Sequence, residues 1–164
     1  MPIDPLLRWL EATTIASTIA EADSLFPWIE SVHVLAITLV VGSIFIVDLR
    51  LVGVASLDRA AHTIMSEILP LTWGAFALAA LTGSLLFVSK ALTYGHNAFF
   101  LVKMGLMMLA GINMAVFHLV SGRDAPGWGP ATQLPVSARI SGSISLALWI
   151  TIVACGRWIG FTLH

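Results

Sequence analysis

Hydrophobic positions in this chain run in four long blocks. The first, "IESVHVLAITLVVGSIFIVDLR" (29–50), is apolar from Val34 to Val47 except for Thr38 and the small Gly42 and Ser43. A membrane helix needs about 20 mainly apolar residues. Four segments meet that length, at roughly 27–52, 68–88, 98–120 and 136–161. The second carries no charge, the third holds one lysine, Lys103, and the fourth is apolar apart from Arg139 and Arg157 near its ends. Alternating strands of about ten residues, the mark of a membrane barrel, are absent. The pattern predicts an all-α fold: a multi-pass transmembrane four-helix bundle forming one domain over 1–164.

The connections agree. "SLDRAAHTIMSE" joins the first two spans and is expected to begin a helical extension, with Ser56 or Asp58 as N-cap. "SKALTYGHN" reads as a tight link, and the prolines and glycines of "SGRDAPGWGPATQLP" forbid a long helix there. Residues 5–21 set Leu6, Leu10, Ile15 and Ile19 against Arg8, Glu11 and Glu21, which predicts a short amphipathic helix on the membrane surface. The N-terminus lacks a basic region followed by an apolar one, so it does not read as a cleavable signal.

Composition sharpens the picture. Hydrophobic residues make up 58% of the 164 positions and charged residues only 10%, against about 25% in soluble domains. Lipid is therefore the expected solvent and the bilayer the first partner. A net charge of −1 gives no basic patch for nucleic acid. The single cysteine, Cys155, excludes an internal disulfide and is expected to pack as a small hydrophobe.

Four spans place both termini on one side, here side A. Lysines and arginines nearly tie between the sides: Arg50, Arg59, Arg123 and Arg139 on side B, Arg8, Lys90, Lys103 and Arg157 on side A. The arginines closest to the span ends lie on side B, which is read as cytoplasmic. Both termini would then face the periplasm.

Ionisable groups inside spans are functional candidates by default. In the first span Glu30, His33, Ile37, Val40, Ile44 and Asp48 share one face. In the third, Lys103 or Met104, Met107, Gly111, Met114 and His118 do so. In the fourth, Arg139 and Arg157 are eighteen residues apart, about five helical turns. Span two offers small residues in "GAFALAALTGS", which permit close helix approach. Depth divides the polar groups into two layers: Glu30, His33, Lys103 and Arg157 near side A, and Asp48, Arg50, His118 and Arg139 near side B. The simplest expectation is structural ion pairing, Glu30 with Lys103 or Arg157, Asp48 with Arg139, and Asp48 with Arg50 as a structural or anchoring pair.

Two further chemistries fit the residue types. Haem b held between helices wants two axial ligands at one depth. His33 and His118 are separated by about 20 Å along the axis and cannot share one haem within a chain. Met104 matches the depth of His33, and Lys103 or Arg157 would pair with propionates. Separately, Met104, Met107, Met114 and His118 form a soft-ligand line suited to Cu(I), or part of a small-solute path. Trp9, Trp28, Trp128 and Trp158 are placed in an interfacial belt, while Trp73 and Trp149 lie deeper, packing the bundle or lining a pocket.

The segments "HVLAITLVVGSIFIVDLRLVG", "LPLTWGAFALAALTGSLLF", "LVKMGLMMLAGINMAVFH" and "ARISGSISLALWITIVACGRWIGF" resemble an uncharacterised bacterial family of small four-helix inner-membrane proteins. The resemblance covers nearly the whole chain. Its motif positions include His33, Gly42, Asp48, Arg50, Trp73, Lys103, Asn113, His118, Arg139 and Arg157, while His62 and His96 fall outside them. The family is similar in architecture to cytochrome b-like and copper-resistance membrane proteins, an analogy of fold only. The functions in view are a haem-binding electron-transfer subunit through His33, a copper or small-solute binding protein through His118, and an accessory subunit of a larger complex. A homo-oligomer is expected, since a second copy could complete a shared site. No hydrolytic triad, phosphate loop or zinc signature appears, so an enzyme acting alone is not expected.

Overall fold

A computed structural model describes residues 3–121, 127–129 and 134–162. Among them the chain forms seven helices and no strand: α1 Asp4–Glu11, α2 Thr14–Glu21, α3 Leu25–Val52, α4 Ala61–Ser89, α5 Ala91–Gly95, α6 Ala98–Val120 and α7 Val136–Thr162. Helices α3, α4, α6 and α7 are each long and apolar enough to cross a membrane. Lipid offers no partner to backbone groups, so helices that satisfy their own are the available solution. Their hydroxyls follow the same rule. Ser31, Thr38, Ser84, Ser143 and Thr151 each donate to the carbonyl four residues back. Pro70 sits inside α4, as membrane helices tolerate.

Local signals fix several ends. Gly53 closes α3 in the left-handed region, φ +88°, with its N–H to the carbonyls of Leu49 and Arg50. Asn97 caps α6 by accepting from the Phe100 N–H at 3.1 Å, and its amide donates to the Thr162 hydroxyl at 2.8 Å. One side chain thus starts α6 and ties it to the end of α7. Both chain ends lie at this end of the bundle, side A.

The surface segment departs from expectation. It is not one helix over 5–21 but two, α1 and α2, broken where Thr13 takes an extended backbone and caps α2. Both pack on the protein as well. Leu7, Ala16 and Ile19 are buried, while Ile3, Leu6, Trp9 and Ile15 stay exposed. Helix α1 lies against α5, and α2 against α4. Glu11 accepts the Leu92 N–H at 2.8 Å, and His96 and Asp4 approach to 3.1 Å. The link between spans two and three therefore holds a helical turn of its own, α5. Span two starts at Ala61 rather than 68, and its N-cap is Ala60, not Ser56 or Asp58. Arg123 lies outside the described residues.

The four spans associate as two hairpins. Helix α3 packs chiefly on α4, and α6 chiefly on α7. The seams carry polar clamps: His33 to Thr82 at 2.9 Å and Thr72 to Ser43 at 2.8 Å on one side, Asn113 with Ser141 and Ser121 with Ser137 on the other. Helices α3 and α7 join the hairpins. They approach closely at Gly142, where an added Cβ would stand 3.0 Å from Leu51 Cβ and 3.2 Å from the Asp48 carbonyl oxygen. Small residues permit such backbone contact in membranes.

Helices α4 and α6 do not pack along their length in the same way. They meet at side A, where the Phe87 and Phe100 rings stack 5.3 Å apart. Toward side B they diverge. That end is closed by a buried cluster including Leu51, Phe117, Trp128 and Leu134. Trp128, expected in an interfacial belt, is therefore buried, with Phe117 6.2 Å away.

Overpacking at a tight contact costs about 1–3 kcal/mol. Gly142→Leu should lose that much stability in thermal unfolding in detergent, while Gly42→Ala, with no neighbour within 4 Å of the new atom, should match the native chain. Equal melting of the two variants would contradict the crossing described here.

Candidate binding cleft

The divergence of α4 and α6 leaves a cleft of about 370 Å³ in the side B half of the bundle, walled by all four spans. Its walls are mostly apolar. Helix α4 contributes Trp73 and Phe76, α7 contributes Trp149, and α6 contributes Met107, Met114 and His118. Asp48 of α3 lies on the wall and is only 5% exposed. Ser145 lines the same wall, and Asp48 Oδ2 has no hydrogen-bond partner. It is the only buried side-chain polar atom among the described residues in that condition. Buried polar groups are nearly always paired, so an exception requires an explanation.

The remaining polar groups of the cleft are engaged with protein. Asn113 donates to the Ser141 carbonyl at 3.0 Å, and the Ser141 hydroxyl donates back to Asn113 Oδ1 at 3.2 Å. Thr72 donates toward Ser43 and the Ile68 carbonyl. His118 Nδ1 lies 2.9 Å from the Met114 carbonyl, which can only accept. Nδ1 therefore carries the proton, and Nε2 keeps its lone pair.

The anticipated ion pairs are not formed. The ion pairs among the described residues are Arg59 with Glu67 at 2.6 Å and His96 with Asp4. Asp48 meets neither Arg139 nor Arg50. Arg139 is exposed at the start of α7. Arg50, 2% exposed, turns its guanidinium to the Arg59 carbonyl at 3.0 Å and the Gly129 carbonyl at 3.4 Å, tying both side B loops to α3. Residues 48 and 50 are about 200° apart around a helix, so one carboxyl faces the cleft and the other charge faces the loops. Glu30 pairs with neither Lys103 nor Arg157. It is exposed and lies near Tyr94, whose hydroxyl is held above its usual range by burial and then by that negative charge. Arg157 stacks over the Phe161 ring at 4.8 Å.

The side A layer gathers around His33. Its Nδ1 lies 2.9 Å from Thr82 Oγ1, and that hydroxyl gives its own proton to the Leu78 carbonyl at 2.7 Å. His33 must therefore donate from Nδ1, leaving Nε2 unprotonated. Gly83 makes room for the ring, since a Cβ there would stand 2.8 Å from His33 Cε1. From α6 it is Lys103, not Met104, that turns to this layer. Lys103 Nζ lies 3.8 Å from the Cβ position of Gly156 and acts electrostatically on His33 and Cys155. Met104 is 44% exposed, so the expected opposition of Met104 and His33 across one haem is not made within the chain. The structure separates the two halves of the expected soft-ligand line as well: Met107, Met114 and His118 reach the cleft and Met104 does not.

Periodicity identified Asp48 and His118 but not Ser145, Thr82 or Gly142. The signal for them was present in the small polar residues of "ISGSIS" and "LTGS", which mark where helices touch.

Residues 9–162 match the model of a family described as a family of unknown function, DUF6644, and the chain belongs to that family. No curated protein and no solved structure matches it.

The His33 tautomer is open to direct measurement. Nitrogen-15 NMR of labelled protein in nanodiscs should show His33 protonated at Nδ1 and bare at Nε2, and Thr82→Val should abolish that preference. Protonation of the native ring at Nε2 would refute the assignment.

Proposed function

We propose that this member of a family of unknown function is an intramembrane binding protein. It takes a small, largely apolar molecule from the lipid phase into the cleft between α4 and α6 and holds the polar end of that molecule at Asp48. The observation that carries this reading is the unmet Asp48 oxygen on the cleft wall. A carboxyl group buried in a membrane without a partner is costly, and a ligand that supplies a donor offsets that cost. The cleft, at about 370 Å³, is the size of a small-molecule pocket. The gap between α4 and α6 gives a lateral route from the bilayer.

A second reading shares the same walls. His118 keeps a free Nε2, and Met107 and Met114 line the cleft beside it, a donor set suited to Cu(I). The two readings differ in which side chain is indispensable, Asp48 or His118.

Native mass spectrometry of detergent-released protein separates them. The native chain should carry a discrete organic adduct. Asp48→Asn should lower its occupancy about tenfold or more, the effect of losing roughly 1.5 kcal/mol in a hydrogen bond to a charged group. Gly111→Phe, whose new side chain enters open space in the cleft, should abolish it while leaving the helical signal intact. A copper adduct lost in His118→Ala would favour the second reading. Identical spectra for all variants would leave the cleft without a binding role and favour an accessory one.

A further inference from the structure

We infer that the molecule held at Asp48 is a monocation, a protonated or quaternary amine on an apolar body. The inference rests on the binding role proposed above and specifies its chemistry. It comes from an account of donors and acceptors around the cleft. Most of the hydroxyl and amide donors are committed: Thr72 to Ser43 and Ile68, one Asn113 N–H to the Ser141 carbonyl, and the Ser141 hydroxyl to Asn113. His118 commits its only proton to the Met114 carbonyl. Two acceptors stand unspent on the wall, Asp48 Oδ2 and, in the neutral ring, His118 Nε2. Asp48 Oδ2 is met by an occupant that brings a hydrogen-bond donor or positive charge.

Charge points the same way. Among the described residues Asp48 is the only acid on the wall, and no lysine or arginine among them lines it to neutralise that acid. One carboxylate suits a single positive charge. A hard divalent cation calls for six or more oxygen ligands, which the wall does not offer. The aromatic complement is what an organic cation uses. Trp73, Phe76, Phe117 and Trp149 line the same space as Asp48, and the negative faces of aromatic rings attract ammonium groups, tryptophan most strongly. The apolar remainder of the wall receives the body of the molecule. An anion finds no lysine or arginine among the described wall residues, and a wholly apolar molecule leaves Asp48 Oδ2 unmet.

The probes are benzyltrimethylammonium and its neutral carbon isostere, neopentylbenzene. They are titrated by calorimetry against native protein, Asp48→Asn and Gly111→Phe in phosphatidylcholine nanodiscs. That lipid carries no net charge, and Gly111→Phe reports partition into lipid alone. After subtraction, the native protein should bind the cation at least about tenfold more tightly than the isostere. Asp48→Asn should bring the ratio close to one. Equal binding of cation and isostere by the native protein, with both lost in Gly111→Phe, would overturn the inference and leave the cleft as a site for neutral molecules. A cation preference that survives Asp48→Asn would also overturn it. Binding of neither probe beyond the Gly111→Phe level, for native protein and Asp48→Asn alike, would remove the support for the binding role itself.

Discussion

The contact on which the arrangement turns is the crossing of α3 and α7 at Gly142. The α3 backbone comes so near that an added Cβ would press on it, with the Asp48 carbonyl 3.2 Å from where that atom would be. That approach joins the two hairpins and fixes what surrounds Asp48. Residues 141, 142 and 145 fall on neighbouring positions of one helical face. The helix that presses Gly142 against α3 therefore also carries Ser145 to the wall that Asp48 lines and Ser141 to Asn113. With α3 and α7 locked and α4 and α6 held together at side A by the Phe87–Phe100 stack, the outer helices diverge toward side B, and the cleft occupies that divergence.

The polar groups of the spans then sort by what they accomplish. Most are spent inside the protein. His33 with Thr82 and Thr72 with Ser43 hold one hairpin, and Asn113 with Ser141 and Ser121 with Ser137 hold the other. Where lipid gives no hydrophobic drive for helix association, such bonds and close packing must supply it. Arg50 spends its donors on two loop carbonyls. Asp48 stands apart because its buried Oδ2 has no hydrogen-bond partner and the residue lines the cleft. An unsatisfied buried group costs about 1–3 kcal/mol, more if charged.

Much of this was legible in the sequence. Length and hydropathy located the four spans, and a period of 3.6 put Asp48, Met107, Met114 and His118 on inward faces. Periodicity gives a direction and a depth, however, and does not give a partner. It therefore could not tell that Arg50 turns to the loops while Asp48 lines the cleft, nor that Lys103 rather than Met104 turns inward beside Gly156 at the depth of His33. The paired acids and bases expected at each depth assumed a closed bundle of equal contacts. The bundle is instead open on one side, and that opening depends on which small residue lets which helices approach. The break at Thr13 and the burial of Trp128 have the same origin, since both follow from contacts made by residues far apart in the chain.

The central claim is that Asp48 presents its carboxyl group to a cleft reached from lipid. Reaction of purified protein, freed of bound small molecules and returned to phosphatidylcholine nanodiscs, with dicyclohexylcarbodiimide, an apolar reagent for protonated carboxyl groups, followed by peptide mapping, tests it most directly. Asp48 should be the principal modified acid, and Gly111→Phe should protect it. An unmodified Asp48 beside modified Glu30 or Glu67, or equal modification in Gly111→Phe, would contradict the account.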